Sequence, residues 1–302
     1  MLSPALHPLV EFLPVPLEQA LARLRQSVRG LGTALVAYSG GVDSALVAAI
    51  AAEQLGTGAE AVTGVSPALA PHLLQEARSQ AAWMGVQHRE LATRELEDPA
   101  YSSNPTDRCY ACKRELHGLL ASLTGGTIQV LDGVNQDDLG DHRPGIRAAR
   151  ERGVRSPLAE HGLDKAAVRQ ISRALGFPWW DKPAQPCLAS RFPYGEPVTA
   201  SRLQRVAAAE DWLRQHGVRQ LRVRCQGATA RVEIPADQLD DLFSWLPRQE
   251  LVEAFRSLGF AAVSLDLEGL ISGRLNREAN LQPAAPGPLA SPGLRQPDRA
   301  VP

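Results

Sequence analysis

Apolar positions recur three or four residues apart at the start of the chain. Leu17, Ala20, Leu21, Leu24, Val28 and Leu31 predict an amphipathic helix over residues 17–31. The period then changes. Thr33-Ala34-Leu35-Val36-Ala37 is a short, partly β-branched run that reads as a buried strand. Ala45 to Ala52 is an alanine-rich apolar run that reads as a buried helix. A strand over Ala59 to Val65 follows, then a helix opened by Pro71 and closed at Gly85, and a weak strand over Gln87 to Leu91. Arg108 to Leu123 reads as a helix and Thr127 to Leu131 as a strand. Asp164 to Leu175 reads as a helix with Asp164 as N-cap and Gly176 as C-cap. Strands alternating with helices predict an α/β fold, a parallel sheet covered on both faces. Its site belongs at the carboxyl ends of the strands.

The stretch Phe177 to Pro197 breaks this rhythm with Pro178, Pro183, Pro186, Pro193 and Pro197, and reads as a long ordered loop joining two units. Beyond it the order changes to a helix over Thr199 to His216, alternating strands over Gln220 to Cys225 and Ala230 to Ile234, a helix over Glu250 to Leu258, and a strand over Ala261 to Leu267. That is a smaller α+β C-terminal domain. The expected division is 1–185 for the first domain, 186–278 for the second, and a disordered proline-rich tail over 279–302.

The turn between the first strand and the alanine-rich helix carries the chemistry. It reads Tyr38-Ser39-Gly40-Gly41-Val42-Asp43-Ser44. A strand, a glycine turn and a helix N-terminus make an anion site, because free N–H groups and the helix dipole point at its occupant. Gly40 and Gly41 permit close approach of backbone to ligand; Ser39 and Ser44 add hydroxyls, and Ser44 is also a candidate cap. Asp43 is a carboxylate inside an anion site and needs a counter-charge, which bound Mg²⁺ supplies. The Walker pattern is excluded, since Val42 and Asp43 stand where its lysine would be. The stretch resembles the SGGxDS loop of the ATP pyrophosphatase (PP-loop) families, which cleave ATP to AMP and pyrophosphate to activate an oxygen as an adenylate.

Composition narrows the partners. The 302 residues carry a net charge of −1 and no basic block, so sequence-independent binding of nucleic acid is not expected. No apolar span is long enough for a membrane helix, and the proline-broken start, Met1 to Pro8, lacks the basic region of a signal peptide. Four cysteines do not make a disulfide framework in a chain this size; a reducing cytoplasm is the expected compartment.

Cys109 and Cys112 share one helical face, and Cys187 lies in the proline-rich loop. Three thiolates suit a 4Fe–4S cluster with one open iron. Four suit zinc, with Cys225 as the last ligand, although strand parity turns Cys225 away from Arg222 and Arg224 and towards a core. A redox dithiol and plain buried thiols are the other readings. Arg222 and Arg224 share a strand face and suit either bidentate anion recognition or solvent. Asp132 to Asp138, with Asn135, ends a strand and continues to Asp141 and Arg143, either as a Mg²⁺ or sugar-hydroxyl site or as a polar turn. Arg191, four residues past Cys187, is either a phosphate contact or part of a stiff linker.

Together these segments resemble the LarE family, ATP-dependent sulfur transferases that build the nickel-pincer nucleotide cofactor. The resemblance rests on Ser39 to Ser44, Asn104 to Lys113, Leu131 to Asn135, Asp141 to Gly145, Cys187 to Gly195 and Leu221 to Arg224, and spans residues 17–278. It implies that a carboxylate of pyridinium biscarboxylic acid mononucleotide is adenylated with ATP and Mg²⁺, pyrophosphate leaves, and sulfur replaces AMP. It implies one of two sulfur sources: a cysteine sacrificed to dehydroalanine, here Cys187, or a 4Fe–4S cluster on Cys109, Cys112 and Cys187. The three cysteines favour the cluster. Positions matching Lys113, Ser190, Arg191, Glu210, Arg222, Arg224 and Asp241 are implied to line the second phosphate and substrate region. A homo-oligomer, and enzymes before and after it in the same cofactor pathway as partners, are implied too. The alternatives are a PP-loop tRNA thiolase, an amide-forming synthetase, and a non-catalytic ATP- or cluster-binding module.

Overall fold

A computed structural model describes residues 8–140, 144–271, 273–275 and 277. The tail and the Asp141 to Arg143 segment lie outside the described residues. The first unit contains α1 (Val15–Arg29), β1 (Ala34–Ala37), α2 (Val42–Leu55), β2 (Ala59–Val65), α3 (Pro71–Met84) and β3 (Gln87–Ala92). It continues with α4 (Pro99–Ser102), α5 (Arg108–Thr124), β4 (Gln129–Leu131), α6 (Pro144–Arg150), α7 (Pro157–Glu160) and α8 (Lys165–Ala174). Its four strands are all parallel in the order β3-β2-β1-β4, with Ala34 beside both Ala59 and Gln129. This is the α/β architecture of a PP-loop domain.

That strand order places the site. The chain leaves β1 for β2 on one side, whereas β4 joins β1 on the other, so the crevice past the ends of β1 and β4 is a topological switch point. α2 starts there. It is apolar on every side, and Ala45 to Ala51 are all fully buried, as a helix without a polar face must be. α8 shows the opposite pattern, burying Val168, Ile171 and Ala174 on one stripe.

The second unit contains α9 (Ala200–Gln215), β5 (Arg222–Gln226), β6 (Thr229–Glu233), α10 (Leu242–Trp245), α11 (Arg248–Ser257) and β7 (Ala262–Leu265). β5 and β6 form an antiparallel hairpin, and β7 adds parallel to β6. Its core joins Leu203, Val206, Val223, Val232 and Phe255 to Leu73 and Tyr101 of the first unit, so the two units share buried surface. Cys225 is fully buried there, its Sγ 3.5 Å from the Gly227 carbonyl, on the side that strand parity predicts.

Two local expectations change. α2 begins at Val42 with Gly41 as N-cap, so Ser44 lies inside the helix and donates back to the Gly41 carbonyl (3.1 Å) instead of capping. The solvated-face reading of Arg224 also fails, because its side chain is buried at 4% exposure against Glu233. The short helices α4, α6, α7 and α10 escaped the periodic reading because none completes enough turns to show a repeat. No helix among the described residues is long and apolar enough to cross a membrane.

Candidate active site

The glycine turn is held from three sides. Gly40 has φ +71°, and a Cβ there would stand 3.1 Å from the Ala77 Cβ on α3, so both backbone and space demand glycine. Tyr38 is buried and donates its hydroxyl to Gln80 (2.9 Å), also on α3; burial pushes its ionisation well above the usual phenol range. The Ser39 N–H donates to Ser44 Oγ (3.2 Å), and the two hydroxyls are 3.1 Å apart. The backbone past β4 presses against the same turn: a Cβ on Gly133 would stand 2.6 Å from the Ser44 nitrogen.

Asp43 projects from the first turn of α2. Asn135, past the end of β4, donates to its carboxylate at 3.1 Å, and Lys165, the first residue of α8, forms an ion pair with it. The counter-charge that the sequence reading gave to Mg²⁺ is supplied in this arrangement by Lys165. Asp137 accepts from the Lys165 N–H (3.0 Å), and Asp164 caps α8 by accepting from Ala167 (2.7 Å). Asp132 is buried, which raises its carboxyl above the usual range against a bond from Ser156, the Val134 N–H and the Lys113 charge. Asp43 is a carboxylate at the mouth of an anion cradle, the kind of oxygen donor that Mg²⁺ carried with a nucleotide takes, while Asn135 turns its amide nitrogen to Asp43 and its oxygen to the Asp138 N–H (3.2 Å).

Lys182 is the second lysine on the turn. It donates to the Gly40 carbonyl (3.0 Å) and pairs with Glu76 on α3 (2.6 Å). Neither lysine was singled out from the sequence. The one signal was Asp164, whose capping role puts Lys165 at a helix start, but nothing in the sequence aims that start at Asp43.

The thiols form a neighbouring site. Cys109 and Cys112 open α5, and Cys187 precedes a 3₁₀ turn, Leu188–Arg191. Burial pushes the Cys112 thiol up to about 12, opposed by the Lys113 charge and reinforced by Cys187, Glu95 and Cys109. Tyr101, buried beside them, is raised by burial and then by Cys187 and Cys112. The three thiols therefore feel one another's charge, but among the described residues no group of three or more His, Cys, Asp or Glu is gathered tightly enough to hold a metal ion. Three cysteine thiols are the ligand type of an iron–sulfur cluster, and coordination would have to take the proton off Cys112 against its burial. Lys113 joins the two sites electrostatically, since its charge acts on both Cys112 and Asp132. A 320 Å³ cavity opens elsewhere, on a charged flank of α5 lined by Arg94, Asp98, Arg114 and Arg152 among others.

Arginines fix the Cys187 turn. Arg191 donates Nε and Nη2 to the two oxygens of fully buried Glu210 (2.8 and 3.1 Å) and Nη1 to the Pro186 carbonyl (2.8 Å) and Ser190 Oγ (3.0 Å). Arg224 donates to the Ser190 carbonyl (2.8 Å) and to both oxygens of Glu233. Glu210 also accepts from the Val223 N–H (3.1 Å), which puts α9 against β5. Arg222 is half-buried, and its charge is disfavoured by burial and then by Arg191 and Arg224. Asp241 stands exposed before α10, where its carbonyl accepts from Ser244; it joins none of these clusters. Asn104, at φ +59°, was read only as part of a motif. It ties the approach to α5 to the far end of the turn, donating to the Pro193 carbonyl (2.6 Å) and accepting from the Gly195 N–H (2.9 Å).

Comparison with known proteins bears on both sites. A family model described as asparagine synthase matches residues 16–102, which hold the glycine turn and stop short of Cys109. An uncharacterized protein of Synechocystis is 54% identical over 263 residues, 86% of this chain and 98% of that protein. The pyridinium-3,5-bisthiocarboxylic acid mononucleotide synthase of Lactiplantibacillus plantarum is 35% identical over 258 residues, 84% of this chain and 93% of that protein. An uncharacterized protein of Methanocaldococcus jannaschii is 27% identical over 236 residues, 78% of this chain and 89% of that protein.

Proposed function

The chain belongs to the LarE family of ATP-dependent enzymes, and from that premise we propose that it is a sulfur transferase acting on pyridinium biscarboxylic acid mononucleotide. A carboxylate of that substrate attacks the α-phosphorus of ATP and pyrophosphate leaves. Sulfur then displaces AMP from the acyl carbon to give the thiocarboxylic acid. The observation that carries the reading is Arg222. It is a half-buried cation disfavoured by burial and by two neighbouring arginines, one of which, Arg191, belongs to the turn that follows Cys187. A bound phosphate or carboxylate would relieve that cost, which supports an anion-binding surface near the Cys187 turn.

The glycine turn, the α2 N-terminus and Lys165 hold the phosphates that leave, with Ser39 and Ser44 beside them. Asp43, oriented by the Asn135 amide, is the residue that would hold Mg²⁺, whose charge would offset that of the phosphates. Lys113, Asp132, Ser190, Arg191, Glu210, Arg222 and Arg224 are assigned to the substrate and second phosphate region, and Asp241, exposed before α10 and apart from them, is not. Within that region Arg191, Glu210 and Arg224 act by fixing the turn. Cys109, Cys112 and Cys187 would hold a 4Fe–4S cluster, which would supply sulfide at an open iron. In the alternative, the Cys187 thiolate attacks the acyl adenylate, AMP leaves, and elimination across Cα–Cβ transfers the sulfur and leaves dehydroalanine.

One experiment separates the two sources. Iron, sulfide and visible absorption are measured anaerobically on the wild type and on Cys109→Ala, Cys112→Ala and Cys187→Ala. Pyrophosphate and thiocarboxylate are assayed with the mononucleotide. Cluster loss in each variant, with repeated turnover in the wild type when inorganic sulfide is supplied, supports the cluster. Iron-free protein that transfers one sulfur per chain, while Cys187 loses the mass of H₂S, supports sacrifice. Pyrophosphate release indifferent to the mononucleotide rejects the substrate.

A further inference from the structure

Lys182 lies where three segments meet. It belongs to the segment leading to Cys187, its ammonium donates to the Gly40 carbonyl in the phosphate turn, and it pairs with Glu76 on α3. Its side chain is only 11% exposed. An ammonium has three donors, and these two partners leave a third hydrogen beside the turn. The segment itself is pinned at both ends to the α3 side. Trp179 stacks edge-on to Trp83 (5.2 Å between ring centres), and the Leu188 N–H donates to the Ala68 carbonyl (2.8 Å). Between those pins His72 and Gln185 make a long contact of 3.3 Å, Arg191 holds the Pro186 carbonyl from the far end (2.8 Å), and residues 183–187 form no helix or strand. Lys182 is thus the charged fastening in the middle of a strap whose last residue is Cys187.

A phosphate chain seated in the glycine turn brings up to four negative charges to the side of a lysine now held by one carboxylate and one carbonyl. Such a lysine gains a stronger partner without leaving its place on the strap. We propose that Lys182 is a positioning residue that contacts the β- and γ-phosphates of ATP and relays their presence to the Cys187 segment. With ATP bound the strap is drawn tight and Cys187 is set for the acyl adenylate. When pyrophosphate leaves, Lys182 returns to Gly40 and Glu76 and the strap relaxes. This rests on the reading of the turn as an ATP site, and it adds an ordering device: the sulfur-bearing segment is held more tightly while the leaving group is in place than after it departs.

The test measures backbone hydrogen exchange over residues 183–191 in the full chain, with and without an α,β-methylene analogue of ATP and Mg²⁺, alongside calorimetric binding of the analogue. The wild type, Lys182→Met and Lys182→Arg are compared. The expected result is slowing of exchange by about fivefold or more in the wild type, as for an ordinary site-to-site coupling. Lys182→Met should bind the analogue more weakly and, at analogue concentrations that saturate it by calorimetry, show no such slowing; Lys182→Arg should restore it. A merely structural lysine would raise exchange equally with and without the analogue, which overturns the proposal. Slowing retained in Lys182→Met, or absent from wild type that binds the analogue, overturns it too. Failure of the wild type to bind the analogue would instead remove the ATP-site reading, and this inference with it.

Discussion

Replacing Arg191 by methionine tests whether this arginine is structural in the way its contacts indicate. The side chains of Arg191 and Glu210 are 7% and 0% exposed. Removing the guanidinium leaves the carboxylate with the Val223 N–H and with Arg214, whose side chain is 23% exposed. Breaking a buried pair by deleting one partner costs about 3–5 kcal/mol, and the surviving Arg214 contact argues for the lower end, about 3 kcal/mol. Methionine keeps most of the apolar stem, so lost packing adds little. The sign of the pH dependence follows from what surrounds Glu210. Burial is the largest influence and favours its neutral form, but the Arg191 charge and hydrogen bonds, with Val223 and Arg214, outweigh it and hold the carboxyl below its usual range. In the wild type this pair therefore stabilises above the ordinary carboxylate range and loses its effect as pH falls through the lowered value. In the variant, burial is opposed mainly by Arg214 and the Glu210 carboxyl moves upward. The variant should be penalised at pH 7 and regain ground by pH 5, as Glu210 takes a proton. Urea unfolding at both pH values measures this, and Arg191→Met with Glu210→Leu should be more stable than Arg191→Met alone. A single-variant loss below about 1 kcal/mol, the level of an exposed pair, or a loss that ignores pH, would refute the reasoning.

Gly133→Ala places a Cβ 2.6 Å from the Ser44 nitrogen and 2.8 Å from its Cα, both backbone atoms. The expected cost is about 1–3 kcal/mol, with a loss of ATP affinity read by calorimetry; unchanged affinity would show that the α2 N-terminus tolerates the shift. Lys165→Met should lower the rate of ATP-dependent pyrophosphate release by about 100-fold with the near-UV circular dichroism intact, and an unchanged rate would remove Lys165 from the phosphate site. His117 is buried at 2% exposure, and burial, then the Lys113 and Arg152 charges, push its pKa down to about 3. A depressed histidine stabilises fully above its unfolded value near 6.5 and loses about 1.4 kcal/mol per pH unit below it. His117→Leu should flatten the acid limb of stability between pH 6 and 5 in urea titrations, and an unaltered slope would contradict the assignment.

What the sequence disclosed tracks how local each cause is. The bounds of β2 and α3 and the cap of α8 were legible because a glycine, a proline or an aspartate decides each within a few residues. The glycine turn between β1 and α2 was legible for the same reason. The burial of Cys225 followed from strand parity alone. Lys165 and Lys182 were not legible. Each owes its role to a residue more than 100 positions away, 122 from Lys165 to Asp43 and 142 from Lys182 to Gly40, and no local pattern encodes that meeting.

The strand arginines show the limit most sharply. Parity put Arg222 and Arg224 on one face and left open which of them a carboxylate would neutralise. Register pairs Arg222 with Glu233 and Arg224 with Arg231. Direct cross-strand pairing would then neutralise Arg222 and leave Arg224 against a like charge. The side chains do the reverse. Glu233 reaches diagonally to Arg224, at 3.0 and 3.2 Å, while Arg231 also turns towards Asp266 (3.4 Å) and Arg274 donates to Asp266 at 2.7 Å. The hydrogen bond from Arg222 is a long one to the Ile271 carbonyl (3.5 Å). The acidic residues of this sheet are thus committed around Arg224, Arg231 and Arg274, and Arg222 is the cation with most to gain from an incoming anion. A spacing of two residues makes two arginines look equivalent; the diagonal reach of one glutamate makes one a structural fastener and leaves the other's charge disfavoured, with a long bond to a carbonyl.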